Sequence, residues 1–489
     1  MTQRSSKLPP LAQNFSIHAG NIKSITIAGS AAPGQKYKQK EITGAVSEVF
    51  FYESVLATTV SATLILVDTG FEAPKKVNRK LYENVSTSGL INELNLKGGE
   101  VVEFEIEDNN PYNVGNDRST IKMKMYVNRI RDIDNNTLKN TFVLDLVSKE
   151  FLLNENTRVL RRYDGPISES ISKILDFQNS SQYDFGVGSQ SLGSFMKRPE
   201  IQTTKFSYNF IGNTKKPLYV CQWLAAKAVP QDKKSNSQAG YFFYQTRERF
   251  HFVSVDASLN GKSFIRDPEK GAGKSVKNFF YTNTGANNED EGANILNYSV
   301  KRTTDLQKDL ALGVFHNFSQ YFDFFGMNYK FYDYDVTVEM KDLLDNRATK
   351  DFLNIPTRAV TERPSRYMTH ILDIGTLPEG KNSTQQLANW RASRETRESP
   401  NYKAEQTMAQ SIMRYNQLFS VQLTILVPGD FTISAGDPVN IEITSLNAES
   451  AEPDAVLSGT YMVANVCHKI NSSETLTSMD LIRDTRGIK

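Results

Sequence analysis

Cysteine is scarce in this chain, with two residues, Cys221 and Cys467, among 489. That excludes a disulfide framework and fits a reducing compartment. Both cysteines sit in apolar patterns and read as buried structural thiols rather than reactive ones. Net charge is scarce too: 57 basic residues oppose 55 acidic ones, leaving +2. No global field therefore calls for nucleic acid or an anionic membrane, and any charged partner surface must be local. No apolar run approaches the ~18 residues of a membrane span, and the stretch Met1 to Pro10 lacks the apolar core of a signal peptide. The chain is expected to fold in a cytoplasm, where triplets such as Asn14 to Ser16 carry no glycosylation meaning. The five histidines, His18, His251, His316, His370 and His468, are scattered, and no two stand at metal-ligand spacing. They read as structural residues. No Gly-x-Ser-x-Gly elbow occurs.

What is present is a repeat. Gly98 to Ile106 reads Gly-Gly-Glu-Val-Val-Glu-Phe-Glu-Ile, and Ala435 to Ile443 reads Ala-Gly-Asp-Pro-Val-Asn-Ile-Glu-Ile. Each copy is a small turn, an acidic residue and then a period-two alternation, the pattern of a strand with one buried face. Gly99 answers Gly436, Tyr126 to Ile130 answers Tyr461 to Asn465, and Leu144 to Val147 answers Met479 to Ile482. One β-module is used twice, near the two ends of the chain. At 489 residues the chain exceeds a single core, so roughly three or four domains are expected. Its 39% hydrophobic and 23% charged content is that of a globular protein.

Taken in order, residues 1–21 read as an arm and 22–152 as the first β-barrel module, with strands at Ile22 to Ile27, Thr63 to Val67, Met123 to Arg131 and Thr141 to Val147. So many short strands predict an antiparallel barrel, which leaves no exposed edge. Residues 153–294 read as an α+β domain. Its helices fall near 166–176, where Ile167, Ile171, Ile174 and Leu175 share a face, and near 217–229, opened by Pro217 and halted by Pro230. An aromatic hairpin spans 241–255, and 257–292, rich in Gly, Lys, Asn and Asp, reads as a long loop. Residues 295–404 form a strand-rich aromatic region with a polar insertion at 375–404. Residues 405–489 supply a helix and the second β-barrel module, which strands from 295–345 are expected to complete. The fold class is thus mainly β with α+β insertions: two similar antiparallel β-barrel modules joined by mixed α/β domains.

Apparent motifs yield to blander readings. Gly271-Ala272-Gly273-Lys274-Ser275 imitates a phosphate loop, but the position that needs glycine is Pro268, which has no N–H. Glu103, Glu105 and Glu107 share one strand face beside Asp108, and a solvated or interface edge fits them better than an acid/base pair. The cluster Phe318, Tyr321, Phe322, Phe324, Phe325, Tyr329, Phe331, Tyr332 and Tyr334, with Lys330, could stack bases. Without an RNP-like motif or basic excess, packing in a barrel wall or subunit interface is favoured. No catalytic, cofactor-binding or metal-binding residue is singled out. The pattern is that of an assembly component rather than an enzyme.

An ordered series of stretches carries a family resemblance. It comprises Ile91 to Ile106 with its Gly98-Gly99-Glu100 turn, Phe142 to Phe151, Arg158 to Leu175, Pro217 to Val255 with Trp223-Leu224-Ala225, Tyr332 to Asp335, and Ser458 to Asp484. In this order they resemble the central baseplate hub proteins of T-even-like contractile-tailed bacteriophages, whose hub part is similar to that of type VI secretion spike proteins. The resemblance implies a homotrimer with two similar β-barrels per subunit, joining a three-fold central spike protein to the six-fold tail tube or its tube-initiator proteins. It also implies a virion baseplate assembled in the bacterial host cytoplasm, with tape measure protein or DNA only as lumen contents. The insertions that lengthen this chain are then docking sites for baseplate wedge components. The competing classes are a tail-associated enzyme degrading cell wall or polysaccharide, and a nucleic-acid-binding protein.

Overall fold

A computed structural model describes residues 20–29, 39–68, 90–110, 113, 116–135, 139–175, 197–231, 239–259, 276–281, 293–302, 305–324, 327–336, 354–355, 358–372, 404–445, 453–454 and 456–484. Residues 1–19 of the arm with His18, the Gly271–Ser275 stretch, Phe325 and residues 375–403 of the insertion lie outside these residues, whereas Asn21 already belongs to a strand and Ala404 to a helix. The protein is mainly β, with antiparallel pairing dominant.

The first strand set is β1 (Asn21–Ala28), β2 (Val46–Ser54), β3 (Ser61–Asp68), β4 (Val101–Glu107), β5 (Thr120–Asn135) and β6 (Asn140–Val147). Alternation decides its faces. Val102, Phe104 and Ile106 of β4 are buried, while the glutamates between them face outward. Helix α1 (Lys149–Asn156) leads into the α+β region, where α2 (Ile167–Leu175) and α3 (Pro217–Ala225) pack on the hairpin of β7 (Tyr241–Gln245) and β8 (Phe250–Ser254). As the 3.6-residue spacing predicts, Ile167, Ile171, Ile174 and Leu175 are all buried there. The stretch 257–292 is not loop throughout, because β9 (Lys277–Tyr281) forms within it by parallel pairing to a later strand. Next come β10 (Asn297–Arg302) and a separate three-stranded sheet of β11 (His316–Asp323), β12 (Asn328–Asp335) and β13 (Arg366–Ile371). Helix α4 (Ala404–Leu418) covers one face of that sheet. The chain then runs through β14 (Val421–Pro428), β15 (Pro438–Ile443), β16 (Gly459–Asn471) and β17 (Thr475–Arg483).

The duplication is visible in the pairing order. In the first set the neighbours run β4-β5-β6-β3-β2, and in the second β15-β16-β17-β14-β10. Five strands correspond in chain order and in partner. The sixth place differs. It is held by β1, antiparallel to β4, in the first set and by β9, parallel to β15, in the second.

Even the irregularities repeat. β5 slips against β6 between Val127 and Arg129, and β16 slips against β17 between Val463 and Asn465. After each bulge the same pair recurs: Thr63 donates to Asp145 at 3.3 Å, and Thr424 donates to Asp480 at 2.7 Å. These pairings put Asp145 opposite Asp480, as the sequence repeat predicts. They correct the other alignment by one residue, since Val127 matches Val463 and so Tyr126 matches Met462, not Tyr461. Identity of residue type misled there because a strand equivalence is set by hydrogen-bond register.

The two sets do not form two separate sheets. β2 pairs with β16 over seven residue pairs, Ser54 with Asn465 through Glu48 with Asn471, which fuses both sets into one 14-stranded sheet. Within each set one bent segment touches both ends of the strand path. Gln39–Glu41 pairs with β1 before the chain continues into β2. Likewise Ala293–Asn294 pairs with β9 before the chain continues into β10.

Candidate functional site

The repeated turn shows why its sequence recurs. In the first copy Gly99 holds φ +87°, its N–H donates to the Val127 carbonyl at 2.6 Å, and the Val127 N–H donates to the Glu100 carbonyl at 2.9 Å. In the second copy Gly436 holds φ +80°, donating to Val463 at 2.8 Å, and Val463 donates to Asp437 at 3.0 Å. A positive φ suits glycine. The acidic residue that follows caps the turn: Glu100 accepts from the N–H of Lys97 at 2.6 Å, and Asp437 accepts from the N–H of Ser434 at 2.9 Å. Each serves its own backbone, and Asp437 also lies 3.5 Å from Arg118.

The chemistry of the molecule concentrates at the seam between the strand sets. Glu53, 2% exposed at the end of β2, accepts from the N–H of Arg247 at 2.8 Å and of Ala435 at 3.1 Å. One carboxylate thereby ties together the first set, the hairpin loop and the second set. Burial pushes its pKa up, against the pull of Arg247 and the two N–H donors. The Arg247 guanidinium reaches the carbonyls of Arg118, at 2.7 Å, and Phe431. Arg118 bonds Ser434 at 3.1 Å and lies 3.5 Å from Asp437 and 3.2 Å from Glu248. A polar cluster of this kind comes together only when all three parts of the chain are docked.

A second polar group lies beside it. Asp108 accepts from Asn113 at 2.8 Å and from the N–H of Phe431 at 3.1 Å, and Asn113 donates to Asp430 at 2.9 Å. Lys277 completes the group at 2.5 Å from Asp430. Burial raises the Asp430 pKa, but Lys277 and the donors Thr432 and Asn113 outweigh it and hold the carboxyl below its ordinary value. Phe431, fully buried, inserts into the core of the first set although it belongs to the second. Its ring meets His468 edge-on at 5.0 Å, and His468 stacks on Phe51 at 6.4 Å. Burial first, then Arg247, drive the His468 pKa down to about 3, so this ring is neutral at ordinary pH.

The residues weighed in the sequence fall as follows. Glu103 pairs with Lys124 at 2.8 Å, Glu105 with Lys122 at 2.9 Å, and Glu107 with Lys23, a ladder of cross-strand ion pairs on the outer face. His251 bonds Glu200 at 2.8 Å and Thr246 at 3.0 Å, His316 bonds the Thr361 carbonyl at 2.7 Å, and His370 stacks on Tyr321. Cys221 is buried, and Cys467 is half-buried with its thiol pushed up to about 11 by burial. The aromatic cluster divides between two faces. Tyr321 and Tyr334 turn inward, whereas Phe322, Phe324, Tyr329, Phe331, Tyr367 and Ile371 are exposed on the outer face of the small sheet. This region is a sheet of its own rather than part of the large one. The seam residues were not singled out by sequence, because no local pattern links Glu53, Arg247 and Ala435.

The fold is therefore that of a mainly β protein built on an internal duplication. No family model matches the sequence, and no curated protein matches it. The chain is similar to solved structures of tail and secretion proteins. One is the tail protein from Neisseria meningitidis MC58, at 10% identity, TM-score 0.46, covering 94% of this chain and 96% of that one. Another is the 43 kDa tail protein of prophage MuSo2 from Shewanella oneidensis, at 10% identity, TM-score 0.43, covering 96% and 100%. A third is the E. coli c3393 protein, a component of the type VI secretion system, at 9% identity, TM-score 0.36, covering 91% and 76%. Among the described residues no helix is long and apolar enough to cross a membrane.

Proposed function

We propose that the chain is a structural protein of a phage virion, the central hub of a contractile tail baseplate, and that it is not an enzyme. It works as a trimeric adaptor between a three-fold spike and a six-fold tube. The observation that carries this reading is the pair of five-strand sets, equivalent in order and fused side by side. On this reading each set rolls into a barrel; the support is the bent segment that pairs at one end of its strand path before running into the strand at the other. Three chains then present six similar wall units around one axis, and the wall encloses the tail channel through which tape measure protein or DNA passes. A heterologous contact that closes into a ring is the cyclic solution open to such a chain. The spike docks on the three-fold side, tube or tube-initiator subunits dock on the six-fold side, and wedge components meet the insertions. Assembly takes place in the host cytoplasm.

The reading is tested by the native mass of the full chain at micromolar concentration, alone and with its spike protein. A trimer is expected in at least one condition, and a monomer in both would overturn the reading. Release of cell-wall fragments by the purified chain would overturn the non-enzymatic part.

A further inference from the structure

The two strand sets are joined inside the chain by a contact that the chain is built to make a second time. β2 uses one edge for β3 and the other for β16. β16 devotes the edge opposite β17 first to β15, at Gly459–Met462, and then to β2, at Asn465–Asn471. Both partners of this contact have an equivalent elsewhere. The equivalent of β2 is β10, which pairs with β14 along one edge. The equivalent of Asn465–Asn471 is the far part of β5, from Arg129 to Asn135, which runs beyond β4 with β6 on one side. Among the described residues no strand pairs with the second edge of β10, nor with the second edge of this part of β5.

β10 differs from β2 in exposure. Phe51 on β2 is fully buried, whereas Ser299, Val300 and Lys301 on β10 are exposed. An exposed strand edge is a template for another chain unless it is covered. β10 carries no proline to blunt it. β5 is the longest strand of the molecule as described, 16 residues, and only its first part is needed to pair with β4.

We infer that the second edge of β10 pairs, antiparallel, with the Arg129–Asn135 edge of β5 in another copy of this chain, repeating between subunits the β2–β16 contact found within one. This rests on the ring reading above and supplies its subunit interface. The register follows from equivalence. Phe50 lies opposite Lys469 in the chain, Phe50 corresponds to Ser299 through the Thr63 and Thr424 pairings, and Lys469 corresponds to Asp134 through its partner across the strand. Ser299 of one subunit thus faces Asp134 of the next. The bulge between Arg131 and Asp134 allows a slip of one residue. Because the two edges are different surfaces, the contact is head-to-tail and propagates until it closes. The closed ring then leaves neither edge open.

Cross-linking of the full chain tests this with Ser299→Cys and Asp134→Cys, treated with a short bismaleimide that tolerates a one-residue slip. The double variant is expected to give covalent dimers and trimers several-fold above the unsubstituted protein, whose Cys221 and Cys467 set the baseline. Each single variant alone should stay at baseline, and an equal mixture of the two should give dimers and no trimers. Dimers from Ser299→Cys alone would mean a symmetric edge-to-edge contact and overturn the inference. A chain of trimer mass whose double variant does not cross-link would overturn this interface and leave the ring reading standing. A chain that is a monomer by mass and does not cross-link would overturn both.

Discussion

The two copies of the repeated turn have the same backbone and opposite surroundings. At Gly99 an added Cβ would meet nothing within 4 Å, while at Gly436 it would overlap the Tyr244 hydroxyl oxygen. The first turn sits at the rim of its set. The second is packed under the hairpin, and its capping Asp437 also faces Arg118 across the seam. Duplication conserved the hydrogen-bond scheme, which is local, and let the packing diverge, which is not. The same holds for β2 and β10, one in the middle of the sheet and the other at its edge.

The largest expected break of the comparison is Phe431→Ala. It empties a fully buried ring position that bridges the second set to the first core, and it should cost about 3–5 kcal/mol in denaturant unfolding. Among the described residues no first-set residue enters the main core of the second set, although Val55 packs with Met462, Ala464 and Ile482 beside the hairpin. Next comes the glycine pair. Gly436→Ala combines a positive φ with overlap on Tyr244 and should cost about 3 kcal/mol, whereas Gly99→Ala meets only the positive φ and should cost about 1 kcal/mol. Equal losses at the two sites would mean that packing under the hairpin contributes nothing to the second turn.

A pH measurement sharpens the seam itself. With its pKa lowered from 6.5 to about 3, His468 stays neutral in the folded chain while the unfolded chain takes up a proton. Stability from this group is present above the unfolded value and is lost as pH falls toward about 3, by up to about 1.4 kcal/mol per pH unit. Asp430, lowered as well, adds a loss in the acidic range below its ordinary value of 3.8. His468→Gln should flatten the slope between pH 6 and pH 4 by close to one proton, and an unchanged slope would remove His468 from the account. The smallest effect is expected at the outer ladder. Glu103→Gln with Lys124→Met should move stability by less than about 0.5 kcal/mol, because solvent screens this exposed pair. A loss of several times that size would show that the ladder face is covered by a partner.

Legibility followed the range of the interactions. The helix at Ile167–Leu175, the hairpin of β7 and β8, the strands around Gly98 and Ala435, and the Asp145–Asp480 equivalence were readable because each depends on neighbours in sequence. β9 was hidden in a Gly- and Asn-rich stretch because its partner β15 lies some 160 residues further on and pairs in parallel. Nothing in Lys277–Tyr281 itself announces that. The Tyr126 alignment slipped because side-chain identity does not report register.

By itself the sequence determined that this is a β-rich, internally repeated chain whose two copies each open on a small turn and an acidic residue, since period-two alternation is a property of a few consecutive residues. Only the tertiary structure decided that the two copies share one sheet, that Glu53 joins three distant segments, and that β2 is covered while β10 presents an edge. Those outcomes depend on which far parts of the chain meet, and hydrogen-bond donors and acceptors on a strand edge are the same whatever the side chains between them.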